Sequence, residues 1–180
     1  DYIDGGAGDD NVDYANSATA VNINMSNGIN SGGDAEGDIL LNIETIKGTE
    51  FDDYFKSTSS KMSFYGGDGN DTFESASGND KFYGGNGADH YIIGRNAGYD
   101  IIFDGRRNIT IDDNGTTITT NSDGSIDQLT FADGITRADV TFSRAQLSLL
   151  IHIAGQSEFI TISRYFENGH GFRIEKLIFA

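Results

Sequence analysis

GTEFDDYFK (48–56), STSSKMSFY (57–65), GGDGNDTFE (66–74), SASGNDKFY (75–83) and GGNGADHYI (84–92) are five nonamers laid end to end without a gap. An aromatic stands at the eighth place of each: Phe55, Phe64, Phe73, Phe82 and Tyr91. Aspartate holds the sixth place in four of them, as Asp53, Asp71, Asp80 and Asp89, and Met62 takes it in the other. An earlier copy, GGAGDDNVD (5–13), puts Asp10 and Val12 in the same two slots, and Asp1 and Ile3 fit the tail of the nonamer before it. A low-complexity Gly/Asp linker keeps no aromatic in register, whereas a fixed short period marks a stacked repeat fold.

The period has a direct physical reading. The residues around the eighth place are strand formers, and strand alternation turns the aromatic inward. The six residues before them make a turn, in which glycines permit backbone angles closed to residues with a Cβ. Two nonamers form one coil of 18 residues, so turns n and n+18 stack on one side. Phe55, Phe73 and Tyr91 are then expected in one ladder, with Phe64 and Phe82 opposite. Proline is absent, as uninterrupted strand pairing requires.

The nonamers match G-G-x-G-x-D-x-U-x and resemble the RTX, or haemolysin-type, calcium-binding repeat. The resemblance is specific over 48–104 and clear over 1–13, and the stretch 32–49 looks like the spacer that commonly joins two such arrays. The resemblance implies an all-β fold, a parallel β-roll (RTX solenoid) followed by a C-terminal β-rich capping segment. The expected divisions are the end of an upstream array at 1–13, a β-rich spacer coil at 14–47, the calcium-binding roll at 48–104 and a β cap at 105–180.

Stacking turns 18 residues apart also stacks Asp53 on Asp71 on Asp89, a column of like charges. A hard divalent cation between the turns converts that repulsion into attraction. Calcium fits, because it accepts about 6–8 oxygen ligands at roughly 2.3–2.6 Å in flexible geometry, while magnesium demands a tighter octahedron and keeps its waters. Softer metals want nitrogen or sulfur, and the chain has three scattered histidines and no cysteine. A phosphate-cradling glycine loop would need a lysine and a following helix, and aspartates repel an anion.

By resemblance to RTX proteins, each ion lies between two turns one coil apart and takes main-chain carbonyls and sixth-place carboxylates from both. Carried onto this chain, one site comprises Thr49, Phe51, Asp53, Gly66, Asp68 and Asp71. A second comprises Gly67, Gly69, Asp71, Gly84, Asn86 and Asp89. On the opposite side Ala76, Gly78 and Asp80 face a partner turn in 92–102 if two residues are inserted there, with Arg95 and Ala97 as carbonyl donors and Asp100 as the carboxylate. The turn carrying Met62 lacks a carboxylate, so the site between 57–62 and 75–80 is expected empty or weak. Asp10 is expected to find its partner in the spacer, at Asp34 or Asp38.

Charge distribution points the same way. The 180 residues carry a formal −16, and residues 1–104 hold 19 Asp/Glu against 5 Lys/Arg, whereas 105–180 hold 9 against 7. Acid concentrated in the glycine-rich part suits a cation, and there is no basic stripe to neutralise nucleic-acid phosphates. Without cysteine there is neither a disulfide framework nor a thiolate metal site. The opening DYIDGGAGDD reads as neither a signal peptide nor a start-methionine segment, so the chain is expected to be a piece of a larger polypeptide. The longest apolar run, 147–153, is too short for a transmembrane helix.

After Asp104 the repeat ends. NITI (108–111), VTFS (140–143) and FITIS (159–163) read as strands, with turns at Asp123-Gly124 and Asp133-Gly134. IDQLTFADGITRADVTF (126–142) and the segment 162–180 resemble the region carboxyl-terminal to the repeats in many RTX toxins and adhesins, with Tyr165-Phe166 where family members usually have Trp-Phe. A solenoid end exposes an apolar coil and open strand edges, so this third is expected to cap it and to seed folding. The alternative for it is a ligand-binding β domain.

No HExxH, GxSxG or Walker lysine motif occurs. The aspartates that could form a glycosidase pair are already explained by the period, so no catalysis is expected. His90, His152 and His170 read as surface or turn residues. The function expected is a calcium-binding module that folds on meeting extracellular Ca2+. Secretion through a type I apparatus is implied by the resemblance, and the parent is left open between a surface adhesin, an RTX toxin and an extracellular hydrolase.

Overall fold

The computed structural model describes residues 1–103, 126–132, 134–165, 174 and 176–179. The expected strand at 108–111, the turn at 123–124, Asp133, Phe166 and His170 lie outside the described residues. So does most of the segment 162–180 beyond Tyr165.

Short strands alternate with glycine-rich turns from the start of the chain. β1 (Tyr2–Asp4) and β2 (Asn11–Asp13) form the first coil, and after them comes the hairpin of β3 (Asn22–Asn24) and β4 (Ile29–Ser31). β5 (Ile39–Leu41), β6 (Thr45–Lys47), β7 (Tyr54–Lys56), β8 (Ser63–Asp68), β9 (Thr72–Glu74), β10 (Lys81–Asn86), β11 (His90–Ile93) and β12 (Ile101–Phe103) continue it. The last five are β13 (Gln128–Phe131), β14 (Val140–Ala145), β15 (Ser148–Ile153), β16 (Phe159–Ile162) and β17 (Lys176–Ile178).

These strands build two facing sheets. One runs β14-β15-β16-β12-β10-β8-β6-β2 and the other β17-β13-β11-β9-β7-β3-β4, while β1 pairs with β5. Along the repeats all pairings are parallel, with Tyr54 opposite Thr72, Thr72 opposite His90, and Ser63 opposite Lys81. That is a parallel β-roll with an 18-residue coil, as the nonamer period requires.

Strand alternation sends the eighth-place side chains into the slot between the sheets. Phe55 stacks on Phe73 at 5.3 Å and Phe73 on Tyr91 at 5.2 Å, while Phe64 stacks on Phe82 at 6.0 Å from the other side. Tilted contacts of 5.4 and 5.6 Å join the ladders, Phe55 to Phe64 and Phe73 to Phe82. All five rings are at most 1% exposed. Offset aromatic pairs at such separations add about 0.5–1.5 kcal/mol beyond area burial. Aliphatic residues extend both ladders: Ile23 lies opposite Phe55, Leu129 opposite Tyr91, Ile46 opposite Phe64, and Ile102 opposite Phe82. A second, outward ladder of Tyr65, Tyr83 and Phe103 stacks at 4.2 and 4.5 Å.

The stack runs on past residue 104. β13 pairs parallel with β11 and β17 with β13, so the inward row passes from Tyr91 through Leu129 to Leu177. On the other sheet β16 pairs parallel with β12, then β15 and β14 add antiparallel strands. The parallel roll thus ends in an antiparallel β segment whose buried side, Leu149, Ile151, Ile153, Ile160 and Ile162, closes the core. No helix of the described residues is long and apolar enough to cross a membrane.

Candidate metal centre

Each sixth-place aspartate sits at the end of a turn, just before the strand that carries its aromatic. From there it staples its coil to the previous one. The backbone N–H of Asp53 donates to Asp71 Oδ1 at 2.8 Å, that of Asp71 to Asp89 Oδ1 at 2.9 Å, and that of Asp89 to Asp127 Oδ1 at 2.9 Å. On the opposite side Met62 N–H donates to Asp80 Oδ1 and Asp80 N–H to Asp100 Oδ1, both at 2.9 Å. Asp71, Asp80, Asp89, Asp100 and Asp127 are all fully buried.

One carboxylate oxygen of each aspartate is thus spent on the staple. Asp71 Oδ2 is buried and has no hydrogen-bond partner among the described residues. An isolated buried carboxylate oxygen is costly unless a cation or proton answers it. Its surroundings are oxygen-rich. A Cβ on Gly66 would collide with Asp71 Oδ2 and lie 2.7 Å from the Gly84 carbonyl oxygen. A Cβ on Gly67 would strike the Thr49 carbonyl, and one on Gly85 the Gly67 carbonyl. Likewise Gly69 faces the Phe51 carbonyl oxygen and Gly87 that of Gly69. Gly67 and Gly69 have φ of 123° and 106°, open only to glycine. The turns therefore press main-chain carbonyls toward the next coil, at the very places where a side chain would fill the gap. Among the described residues no three His, Cys, Asp or Glu side chains gather in one cluster, so carbonyl oxygens have to complete any coordination shell. That donor set, carboxylate plus carbonyl, is the hard-oxygen set calcium takes.

Burial pushes the Asp71 carboxyl up to about 8, opposed by the Asp53 N–H and reinforced by the charges of Asp89, Asp53 and Asp52. Burial likewise lifts Asp100 to about 7 and Asp80 to about 6, and raises Asp53. These groups bind protons more readily folded than unfolded. In the metal-free chain their contribution to stability is full at acid pH, below the ordinary carboxylate range, and is lost as pH rises through about 6–8. Calcium taken up by these carboxylates would have to displace those protons. Its binding midpoint is expected to rise as pH falls from 8 to 6, by about tenfold per pH unit for each proton displaced. Calorimetric calcium titrations at several pH values check this, and a pH-independent midpoint contradicts it.

The other expected ligand residues are placed by the same stacking. Asp68 and Asn86 meet through their side chains, with Asn86 Nδ2 donating to Asp68 Oδ1 at 2.7 Å. Ala76 N–H donates to Ser57 Oγ at 2.8 Å, and the Gly78 carbonyl abuts Gly98. Lys81 lies opposite Ile101, a shift of 20 residues that accommodates the two inserted ones before Asp100. Ala97 is buried, whereas the Arg95 side chain turns to Asp139 at 3.7 Å. Met62 is 1% exposed, its side chain in the apolar slot.

Asp10 does not pair with Asp34 or Asp38. Its N–H donates to Glu44 Oε2 at 2.9 Å, because β2 lies beside β6 and brings Glu44 into the sixth-place slot. Asp38 instead receives the Tyr14 hydroxyl at 2.8 Å. Asp127 escapes the nonamer count because the insert at 104–125 breaks it; the Asp-x-Leu of Asp127 and Leu129 repeats the sixth- and eighth-place spacing and is the signal that finds it.

An acid-lined, carbonyl-rich column in a parallel β-roll defines a calcium-holding repeat solenoid. The family model described as RTX calcium-binding nonapeptide repeat, in four copies, matches residues 1–16 and 64–95. Those two stretches match RTX repeats, and RTX repeats bind Ca2+. The family is a structural calcium-binding repeat rather than a catalytic one, and it occurs in extracellular bacterial proteins. A search of curated proteins returned no match.

Proposed function

We propose that this chain is the calcium-driven folding module of a larger protein secreted by a bacterium, and that it performs no catalysis. The observation that carries this reading is the fully buried Asp71, whose second carboxylate oxygen lies near the Gly84 carbonyl and has no hydrogen-bond partner among the described residues. One ion would be held by Thr49, Phe51, Asp53, Gly66, Asp68 and Asp71, a second by Gly67, Gly69, Asp71, Gly84, Asn86 and Asp89. A third would be held by Ala76, Gly78, Asp80, Arg95, Ala97 and Asp100. Thr49, Phe51, Gly67 and Gly69 serve through main-chain carbonyls, whose outward aim is set by the glycine turns.

Without the ion, buried aspartates either take up protons or drive the coils apart, and at neutral pH the acidic repeats favour the open chain. An unfolded, acidic chain suits passage through a type I export channel. Outside, calcium at about millimolar concentration matches extracellular modules with dissociation constants of about 10⁻⁴–10⁻³ M. Binding only to the folded state then stabilises it by mass action, about 2.7 kcal/mol for a site at 100-fold excess over its dissociation constant. Circular dichroism across a calcium titration from excess chelator is expected to show strand signal rising cooperatively with calcium. An equally strong strand signal in chelator refutes the coupling.

A further inference from the structure

We propose that the roll has two parts with different metal demand: the coils spanned by residues 14–56 close on protein hydrogen bonds alone, and the coil spanned by 66–83, which carries Asp71 and Asp80, closes only with calcium. This deepens the calcium-driven reading and rests on it.

The difference lies in who answers each buried carboxylate. Asp38 is 5% exposed, and its Oδ2 accepts from the buried Tyr14 hydroxyl at 2.8 Å. Asp53 is 2% exposed and takes three donors: Val21 N–H at 2.8 Å and Thr49 Oγ1 at 3.0 Å on Oδ1, and Thr49 N–H at 2.6 Å on Oδ2. Protein donors therefore answer both oxygens of Asp53 and Oδ2 of Asp38. Asp71, one coil on, keeps the staple from Asp53 N–H but has no described donor on Oδ2. The turn that ends at Asp71 is GGDGND, which has no hydroxyl side chain like that of Thr49 and no tyrosine like Tyr14. A hydroxyl or amide donor does locally what a cation does there: it removes the cost of a buried unmatched oxygen.

The early coils also have their own packing. Tyr14, Ile23, Leu40, Ile46 and Phe55 are buried, the antiparallel β3–β4 pair braces β7 through β3, and Lys47 binds Asp13 at 2.8 Å. Asp53 stands at the junction. Its N–H is the donor that Asp71 meets, so the metal-independent part presents a preformed edge on which the next coil is laid. Folding then proceeds from the spacer as well as from any carboxyl-terminal cap.

Hydrogen–deuterium exchange with mass spectrometric detection on the whole chain tests this, once in excess EDTA and once in calcium at neutral pH. Peptides from 14–56 are expected to exchange about tenfold or more slowly than an open chain in EDTA, while those from 66–83 gain such protection only with calcium. Uniformly fast exchange in EDTA with uniform protection in calcium overturns the two-part division and leaves calcium-driven folding intact. Uniform protection in both overturns the calcium-driven reading itself. Tyr14→Phe keeps the ring and removes the donor to Asp38. It is expected to speed exchange of 14–56 in EDTA by about tenfold, with 66–83 in calcium unchanged. If Tyr14→Phe exchanges like the parent chain in EDTA, the hydroxyl does not stand in for the cation.

Discussion

Asp71→Asn is expected to remove two calcium ions at once and to raise the calcium midpoint of folding by at least tenfold. The family resemblance gives Asp71 to both the first and second proposed sites; in the structure its Oδ1 accepts from Asp53 N–H and its own N–H donates to Asp89. Asparagine keeps the size of the side chain and an oxygen to accept the Asp53 N–H, so the staple survives. What it loses is the negative charge and the oxygen that no described donor answers. Losing an outer-shell partner of a metal ligand alone costs about 10–100-fold in affinity, and a direct ligand shared by two ions should cost no less. Asp52→Asn is the control: Asp52 is exposed and its Oδ1 only accepts from Asn70, through N–H at 2.7 Å and Nδ2 at 3.1 Å. Isothermal titration calorimetry should show a stoichiometry lower by two for Asp71→Asn and unchanged for Asp52→Asn. Equal stoichiometry in the two variants would remove Asp71 from the metal sites.

Phe73→Ala in saturating calcium is expected to lower unfolding free energy by about 3–5 kcal/mol, the range for emptying a large buried aromatic site. Phe73 is the central ring of the core, in contact with Phe55, Tyr91 and Phe82. The rings around it, Phe55, Phe82 and Tyr91, are fully buried and held in their own ladder contacts, so filling the space would pull them out of place. A domain of this kind has about 5–15 kcal/mol in total, so the loss is a large share of it. Phe73→Leu, which keeps most of the volume, should recover much of the difference. Chemical denaturation monitored by circular dichroism measures both, and a loss below about 1 kcal/mol for alanine would mean that the aromatic ladder is not the core.

Calcium and the ladder act on different terms. The ladder supplies apolar burial that does not depend on the medium outside, while the aspartate column makes the same coils unfavourable until a cation or proton arrives. A roll with aromatics alone would fold wherever it was made. Under the proposed function, one with the acid column would fold where calcium is present, as a secreted module needs.

Much of this was legible in the order of residues. The 18-residue coil, the inward aromatic row and the acid column each derive from a nine-residue period that repeats without a gap from 48 to 92. Within that stretch the register is local, since every partner lies 18 residues away. Outside it the register skips. Glu44 reaches Asp10 across 34 residues and Asp127 reaches Asp89 across 38, because inserted residues lengthen a connection at little entropic cost while leaving the strand pairing intact.

Residue type and spacing suffice for the repeat, the two-sided coil and the preference for a hard, oxygen-bound cation. Which carboxylates the protein itself answers is visible only once the coils are packed. Tyr14 answers Asp38 and Thr49 answers Asp53, while Asp71 is left with an open oxygen. The physical reason is that a buried carboxylate's demand is set by the donors the fold packs against it, and no periodic pattern in the chain specifies where a hydroxyl from a neighbouring turn will come to rest.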